Sequence, residues 1–317
     1  IPEAMKYFNN LFWNHKCTIE TINEFNEIET KTLIIELMGK HSNVILTNQE
    51  EKINTRQQPY YHRGFVSLPA KIAVMHLVID QGNTTIKVAL FSGEGIPDRI
   101  EQIPRLSRTY IDKLLSAYPI SSCIYSSVAH TDTDMMAYLQ SQISHFYYFT
   151  PDTPLPVIID YRSPKTLGSD RIAAVIGARA EAPDRDILVI DAGTCITYDM
   201  ITATGHFLGG NIAPGIKMRL RSMNKFTEKL PVVEKNGDTP LLGYDTETAM
   251  RSGAILGACY EIEGYISSLR QEYPELLIFL TGGDAFLLAD KLKTSIFVDD
   301  CIVLKGLNRI LYHNVYP

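Results

Sequence analysis

The feature that most constrains this chain is a pattern that occurs twice. Residues 77 to 87 read Leu-Val-Ile-Asp-Gln-Gly-Asn-Thr-Thr-Ile-Lys, and residues 188 to 198 read Leu-Val-Ile-Asp-Ala-Gly-Thr-Cys-Ile-Thr-Tyr. In each, three apolar residues, two of them β-branched, predict a buried strand that ends on a carboxylate, Asp80 or Asp191. After one spacer comes a glycine, Gly82 or Gly193, with a hydroxyl-bearing residue, Thr84 or Thr194, close behind it. Gly82 and Asn83 tolerate positive φ, so the chain can reverse there with its N–H groups turned inward, while Thr84 and Thr85 add hydroxyls. Taken alone, the first copy also reads as an ordinary β-hairpin, because Asp and Gly before Asn are common turn residues. Two copies argue for duplication. Each continues into a further strand, over Ile86 to Phe91 and Ile196 to Ile201. Two such units facing each other across a cleft would surround a nucleotide's phosphates with backbone donors, hydroxyls and Asp oxygens suited to Mg²⁺.

That arrangement resembles the phosphate site of the actin-like, sugar-kinase and Hsp70-type ATPase superfamily. The resemblance implies a duplicated α/β fold of the ribonuclease H-like kind, with a first lobe over 75–185 and a second over 186–317 around a nucleotide cleft. Length agrees, since 317 residues predict two or three domains. The composition, 45% hydrophobic and 21% charged, is that of an ordinary soluble globular protein. A net charge of −6 argues against nonspecific nucleic-acid binding by the chain as a whole. A phosphate site is local and remains compatible with that charge. The cysteines, Cys17, Cys123, Cys195, Cys259 and Cys301, show no C-x-x-C spacing, which points to reduced thiols and a cytoplasmic setting. No apolar run reaches the ~20 residues a membrane span needs, and the amino terminus lacks a basic start followed by an apolar stretch.

Residues 1–74 differ in character, being rich in Asn and Lys, with the one Trp (Trp13) and a clear apolar strand at Leu33 to Leu37. Within them, Glu29 to Glu50 contains Glu-Leu-Met-Gly-Lys-His-Ser-Asn-Val-Ile-Leu. This run resembles the N-terminal domain of the fibronectin-binding A/NFACT family of ribosome quality-control proteins, over residues 20 to 69. So short a piece would struggle to bury enough apolar surface to be stable alone. His41, Ser42 and Asn43 are therefore expected in a strand-turn-strand, with His41 a turn residue. The expectation is that 1–74 is a fusion or a mis-joined upstream reading frame, and that Met75 is a natural start.

Beyond Met75, Tyr110, Ile111, Leu114, Leu115 and Tyr118 share one helical face, so a helix is expected over Ser107 to Tyr118. Ile120 to Val128 reads as a strand, with Ser126 and Ser127 at its polar end. Asp160 to Ile172 reads as a loop full of breakers leading into a helix over Ile172 to Ala182. Asp170 stands near the start of that helix, where a carboxylate serves as a cap. Gly168, Arg171 and Tyr161 have no such explanation. Gly209 to Gly215 reads as a loop whose glycines let backbone approach a ligand. Thr246 to Tyr273 reads as a long helix, and Leu276 to Leu280 as a buried strand running into Thr281-Gly282-Gly283-Asp284, which suits a flat adenine or ribose lying on bare backbone.

Taken in order, these motifs resemble those of type III pantothenate kinases. Asp80-Gln81-Gly82-Asn83-Thr84 with Lys87 is similar to the family's D-x-G-N-T phosphate motif, and Ser126-Ser127-Val128 to its S-S-V strand end. Tyr161 with Gly168-Ser169-Asp170-Arg171 is similar to its Y…G-x-D-R pantothenate motif. Asp191-Ala192-Gly193-Thr194 with Thr197, the Gly209 to Gly215 run, Gly243 with Thr246 and Gly253, and Thr281 to Asp284 complete the series. Ala129-His130 and Cys195 depart from the pattern only slightly. The resemblance implies ATP-dependent phosphorylation of pantothenate by a cytoplasmic homodimer that needs Mg²⁺ or another divalent metal and a monovalent cation, K⁺ or NH₄⁺. It implies ATP binding by Asp80, Gly82, Asn83, Thr84, Lys87, Gly193, Thr194, Thr197, Gly282 and Gly283, with metal held by Asp80 and Asp191. Pantothenate would meet Tyr161, Gly168, Ser169, Arg171 and Thr246, and Asp170 would be the catalytic base. A non-catalytic regulator of the same fold would not need Asp80, Asp170, Arg171 and Asp191. A sugar kinase or polyphosphatase would share the phosphate hairpins but not the run from Gly168 to Arg171.

Overall fold

A computed structural model describes residues 15–22, 28–36, 43–45, 74–82, 85–128 and 132–316. The chain divides into two compact units, Ile1–Ser67 and Leu68–Pro317. In the first, β1 (His15–Ile22), β2 (Ile28–Glu36) and β3 (Asn43–Ile45) form an antiparallel sheet in that order. The strand expected near Leu33 is thus the middle of three. His41 and Ser42 lie outside the described residues, as does Trp13, while Asn43 opens β3.

The second unit carries the duplication. Its first sheet holds β4 (Met75–Gln81), β5 (Ile86–Phe91), β6 (Arg99–Ile103), β7 (Ile120–Ser127) and β8 (His145–Tyr148), ordered β6-β5-β4-β7-β8. The two phosphate-motif strands β4 and β5 are antiparallel, while β7 runs parallel to β4. Helices α1 (Arg108–Ala117, capped by Ser107) and α2 (Thr133–Gln142) make the crossovers. A second sheet repeats the plan. It contains β9 (Ile158–Ile159), β10 (Ile187–Ala192), β11 (Cys195–Ile201), β12 (His206–Pro214), β13 (Leu277–Thr281) and β14 (Phe297–Val298). Its order, β14-β13-β10-β11-β12-β9, is that of the first sheet with β9 added at one edge. Both sheets are therefore an antiparallel meander followed by two parallel strands, and the duplication read from two short motifs extends to whole sheets.

Helix α3 (Ser169–Glu181), α4 (Ile216–Lys225), α5 (Thr246–Leu269), α6 (Ala285–Ala289) and α7 (Ile302–Val315) complete the unit. The central strands are buried on both faces. On β4, Val78 joins one core while Leu77 and Ile79 join another, and on β10, Ile187 and Val189 face away from Leu188 and Ile190. Strands covered on both faces read as continuous apolar runs, which is why both were visible in the sequence. The core between the sheets is filled by α3 and α7, so the final helix returns from the second half of the chain to pack beside Val78, Phe91 and Ile124 of the first sheet.

The two helices cross at bare backbone. A Cβ on Gly177 would lie 2.1 Å from the Ile302 carbonyl oxygen, and one on Gly306 would lie 1.8 Å from that of Ala173. A buried polar node, Asn308 of α7 with its Oδ1 on His76 Nδ1 and its Nδ2 donating to the Gly93 carbonyl, ties α7 to β4. Together these contacts fix where α3 begins. That beginning carries the run from Ser169 to Arg171.

Candidate active site

Asp80 and Asp191 occupy equivalent places at the ends of the central strands. Asp80 pairs across with Lys87 on β5 and with Ser126 on β7. Asp191 pairs with Thr197 on β11 and with Thr281 on β13. Beyond each carboxylate the chain reverses at once: Gly82 N–H donates to the Thr85 carbonyl, and Gly193 N–H to that of Cys195. Asn83 and Thr84, at the tip of the first turn, lie outside the described residues, as do Ala129 and His130.

The start of α3 meets these tips. Ser126 Oγ, fully buried at the end of β7, bonds Ser169 Oγ in the first turn of α3 at 2.9 Å. The helix begins three residues earlier than its apolar pattern indicates, so Asp170 and Arg171 stand within its first turn rather than on the loop before it. Gly168 is the N-cap residue and contributes no side chain. Asp170 is instead the second helical residue, and its Oδ1 accepts from the Arg171 N–H at 2.8 Å. Among the described residues its Oδ2 has no hydrogen-bond partner. A Cβ on Gly168 would come within 2.6 Å of Asp170 Oδ1, so glycine is what lets the carboxylate sit there.

Arg171 departs from the expectation that its whole guanidinium faces a substrate. It is 6% exposed, and Nε and Nη2 donate to Asp199 on β11, Nε at 2.9 Å and 3.1 Å and Nη2 at 2.5 Å. Its Cζ lies 5.9 Å from the Tyr161 ring centre. Gly209 and Gly210 also differ from expectation, for they lie inside β12 and not in a loop. Their missing side chains admit protein groups. A Cβ on Gly209 would meet the Tyr161 ring at 3.1 Å, and one on Gly210 would meet Asp199 Oδ1 at 2.8 Å.

Two further glycines build the turn after Asp191. Gly215 sits against the Gly193 and Thr194 carbonyls, where a Cβ would come to 2.3 Å and 2.6 Å, and its N–H donates to Thr194. Gly282 has φ +95°, favoured by glycine, and a Cβ on it would lie 2.4 Å from Asp191 Oδ1. The Thr281 to Asp284 turn therefore lies over the tip of β10, with Gly283 in open space. Asp284 is engaged by Lys235.

Electrostatics joins the pieces into one site. Asp80 is pushed up to about 7, first by loss of solvent and then by the charge of Asp170, with Lys87 opposing. Asp191 is pushed up to about 6 by the same two causes in the same order, again with Lys87 opposing. Like charges act this way only when they are close. Lys87 Nζ also donates to the Asp300 carbonyl at 3.3 Å, just before α7. Asp80, Asp170 and Asp191, with Lys87 opposing their charge, are hard oxygen donors with excess negative charge. Such a set fits a divalent cation of the Mg²⁺ type bound with phosphate.

The sequence profile described as type III pantothenate kinase matches residues 76–268. The chain is similar to a type III pantothenate kinase of Bacteroides fragilis, 45% identical over 240 residues, or 76% of this chain and 98% of that one. It is similar also to one of Phocaeicola vulgatus, 46% identical over 244 residues, or 76% and 99% of the two chains. This chain belongs to the type III pantothenate kinase family. Among solved structures, a ROK family protein from Streptococcus pneumoniae TIGR4 in complex with sucrose is similar over 76% of this chain and 99% of its own, at 13% identity and a TM-score of 0.43. Residues 15–60 are matched by a separate profile, NFACT N-terminal and middle domains.

In this pantothenate kinase family member, Asp80, Gly82, Lys87, Asp170, Asp191, Gly193 and Gly282 are linked by contact, pairing or charge in one region. Ser169, Arg171 and Tyr161 adjoin them. Thr246 does not: it is exposed in the first turn of α5 next to the cap residue Asp245, and among the described residues no hydrogen bond joins it to the others. Asp199 was not singled out by the sequence motifs. Its one signal there is a charged residue inside an otherwise apolar strand, between Tyr198 and Met200, which requires a buried partner.

Proposed function

We propose that this chain transfers the γ-phosphoryl group of ATP to the primary hydroxyl of pantothenate, giving 4′-phosphopantothenate, the first committed product on the way to coenzyme A. The observation that carries this reading is Asp170 in the first turn of α3, near enough to Asp80 and Asp191 to raise both, with an Oδ2 that has no hydrogen-bond partner among the described residues. Asp170 Oδ2 takes the hydroxyl proton as the hydroxyl oxygen bonds to the γ-phosphorus. The bond from that phosphorus to the bridging oxygen of the β-phosphate breaks, and ADP leaves with its electron pair. Phosphoryl transfer needs mainly positioning and charge neutralisation. Lys87 and the hydroxyls of Thr194 and Thr197 supply these to the ATP phosphates beside the turns at Gly82 and Gly193, and Gly282 and Gly283 offer flat backbone to the nucleoside. Asp80 and Asp191 would hold a divalent metal, which when bound neutralises the phosphate oxygens. The neighbourhood of Asp191 would also take K⁺ or NH₄⁺. Arg171 and Tyr161 receive the pantothenate carboxylate.

The test is ADP release with pantothenate against a panel of sugars. Release only with pantothenate is expected, abolished by EDTA and higher in K⁺ or NH₄⁺ than in Na⁺. Sugar-dependent release, or none with any acceptor, would overturn the assignment.

The reading includes a cytoplasmic homodimer, with residues 75–185 and 186–317 as its two lobes. No helix among the described residues is long and apolar enough to cross a membrane. Leu241, Leu242 and Tyr244, next to Thr246, are 75%, 84% and 70% exposed, an apolar group suited to a second copy. Leu242→Asp is expected to convert a dimer to a monomer in light scattering at unchanged fold. A variant that stays dimeric would remove this face from consideration.

A further inference from the structure

Asp199 has no part in the motifs that mark the family's substrate site, yet it accepts three hydrogen bonds from the Arg171 guanidinium. It is 1% exposed, and its carboxylate lies along the Nε–Nη2 edge of the guanidinium. A guanidinium has two edges that match a carboxylate in two-point fashion, the side edge of Nε with one terminal nitrogen and the end edge of both terminal nitrogens. Asp199 occupies the side edge. Asp199 does not use the end edge, Nη1 with the outer hydrogen of Nη2, and the Tyr161 side chain also interacts with the group. One face of the group lies against Tyr161, whose own ring is seated on the bare backbone of Gly209. Gly210 makes the room that Asp199 needs, since any side chain there would collide with the Tyr198 carbonyl and with Asp199 Oδ1.

The consequence is a long side chain fixed at one edge and one face before any ligand arrives. An arginine on the first turn of a helix otherwise has several free torsions, and binding a carboxylate would have to arrest them. We infer that Asp199 is a positioning residue: it holds Arg171 by the side edge so that the end edge meets the carboxylate of the acceptor substrate in register with the phosphate site. This rests on the pantothenate reading above.

The test is Asp199→Asn, which keeps size and one acceptor oxygen but removes the charge that grips both nitrogens. The KM for pantothenate is expected to rise about 10- to 100-fold, the range typical of losing a group that orients a binding residue. The KM for ATP and kcat should stay within about threefold of the parent, because neither the phosphate turns nor Asp170 is altered. A residue that only holds the fold together would instead lower the active fraction, seen as a fall in kcat and Tm at unchanged KM. That outcome overturns the inference. If the variant does not fold, the parent answers through the Nε–H signal of Arg171 in a sample labelled at arginine Nε. Protection from solvent exchange both before and after saturation with pantothenate supports the clamp. Loss of protection on adding pantothenate would mean that the substrate displaces Asp199, and it would overturn the inference. A parent that releases no ADP with pantothenate overturns the substrate assignment together with this inference, whereas an unchanged KM in a working parent overturns this inference alone.

Discussion

Asp170→Asn is expected to lower kcat by roughly 10² to 10⁴ while leaving ATP binding intact. A primary hydroxyl is a weak nucleophile at neutral pH, and a carboxylate within hydrogen-bond reach both aims it and accepts its proton late in the transfer. In the proposed reaction the two oxygens of Asp170 have separate duties. Oδ1 is committed to the Arg171 N–H in the first turn of α3, while Oδ2 has no partner among the described residues. Asn reproduces the first duty with its own carbonyl oxygen, so the helix start, the Gly168 contact and the seat of Arg171 should persist. It cannot perform the second, because an NH₂ group in the place of Oδ2 donates and does not accept.

The competing role makes a different forecast. Asp170 is not the N-cap of α3; that is Gly168, and what remains to a carboxylate at the second position is a helix-dipole contribution of roughly 0.3 to 1 kcal/mol. Losing that would lower Tm slightly and leave turnover near normal. Steady-state kinetics beside a nucleotide titration separates the two. An Asn variant that binds ATP and pantothenate and turns over within a few-fold of the parent would exclude Asp170 as the base.

How far the sequence spoke depended on where each signal resides. The central strands of both sheets were legible because burial on two faces forces continuous apolar runs, and because a glycine must follow each terminal carboxylate where the chain reverses. Helix α5 and strand β13 were legible for similar local reasons, with Asp245 and Thr248 closing a capping box at the start of α5. The Gly209-Gly210 pair was misjudged because a glycine in sequence shows that space is needed, not what fills it. The filling groups, Tyr161 and Asp199, come from other parts of the chain. The same limit hid the Arg171–Asp199 pair, whose members are 28 residues apart in sequence. It also hid the return of α7 to the first sheet, since Gly177 and Gly306 become a helix crossing only once the two halves are folded. The start of α3 was placed too late because Ser169, Asp170 and Arg171 are polar residues on a helix whose apolar periodicity begins at Ile172.

Asp80→Asn is expected to abolish turnover and, in the metal-free and nucleotide-free protein at pH 8, to raise stability. Asp80 is pushed up to about 7 by loss of solvent first and by Asp170 second. Its pKa in the unfolded chain is about 3.9, so the folded state holds the proton more tightly. The sign follows from linkage. The contribution of this group to stability is fully present below pH ~4 and is lost as pH rises through about 7, because the folded protein must then keep an ionised carboxylate in a poorly solvated place beside Asp170. Asp191, pushed up to about 6, acts in the same direction over a slightly lower window. The parent without ligands should therefore lose stability between pH 5.5 and pH 8. Each pKa unit corresponds to about 1.4 kcal/mol, and Asn, which has no charge to bury, should recover about 1 to 3 kcal/mol at pH 8 and roughly a third of that at pH 5. For a unit of this size that is a rise of roughly 2 to 12 °C in Tm, read by calorimetry or dye-monitored melting. Mg²⁺ with ATP should stabilise the parent at pH 8 far more than the variant, since the carboxylate that opposes folding is the one held to bind the metal. A variant that melts at or below the parent at pH 8 would show that Asp80 carries no such penalty, and that the phosphate site is not built on carboxylates kept under electrostatic stress for their ligand.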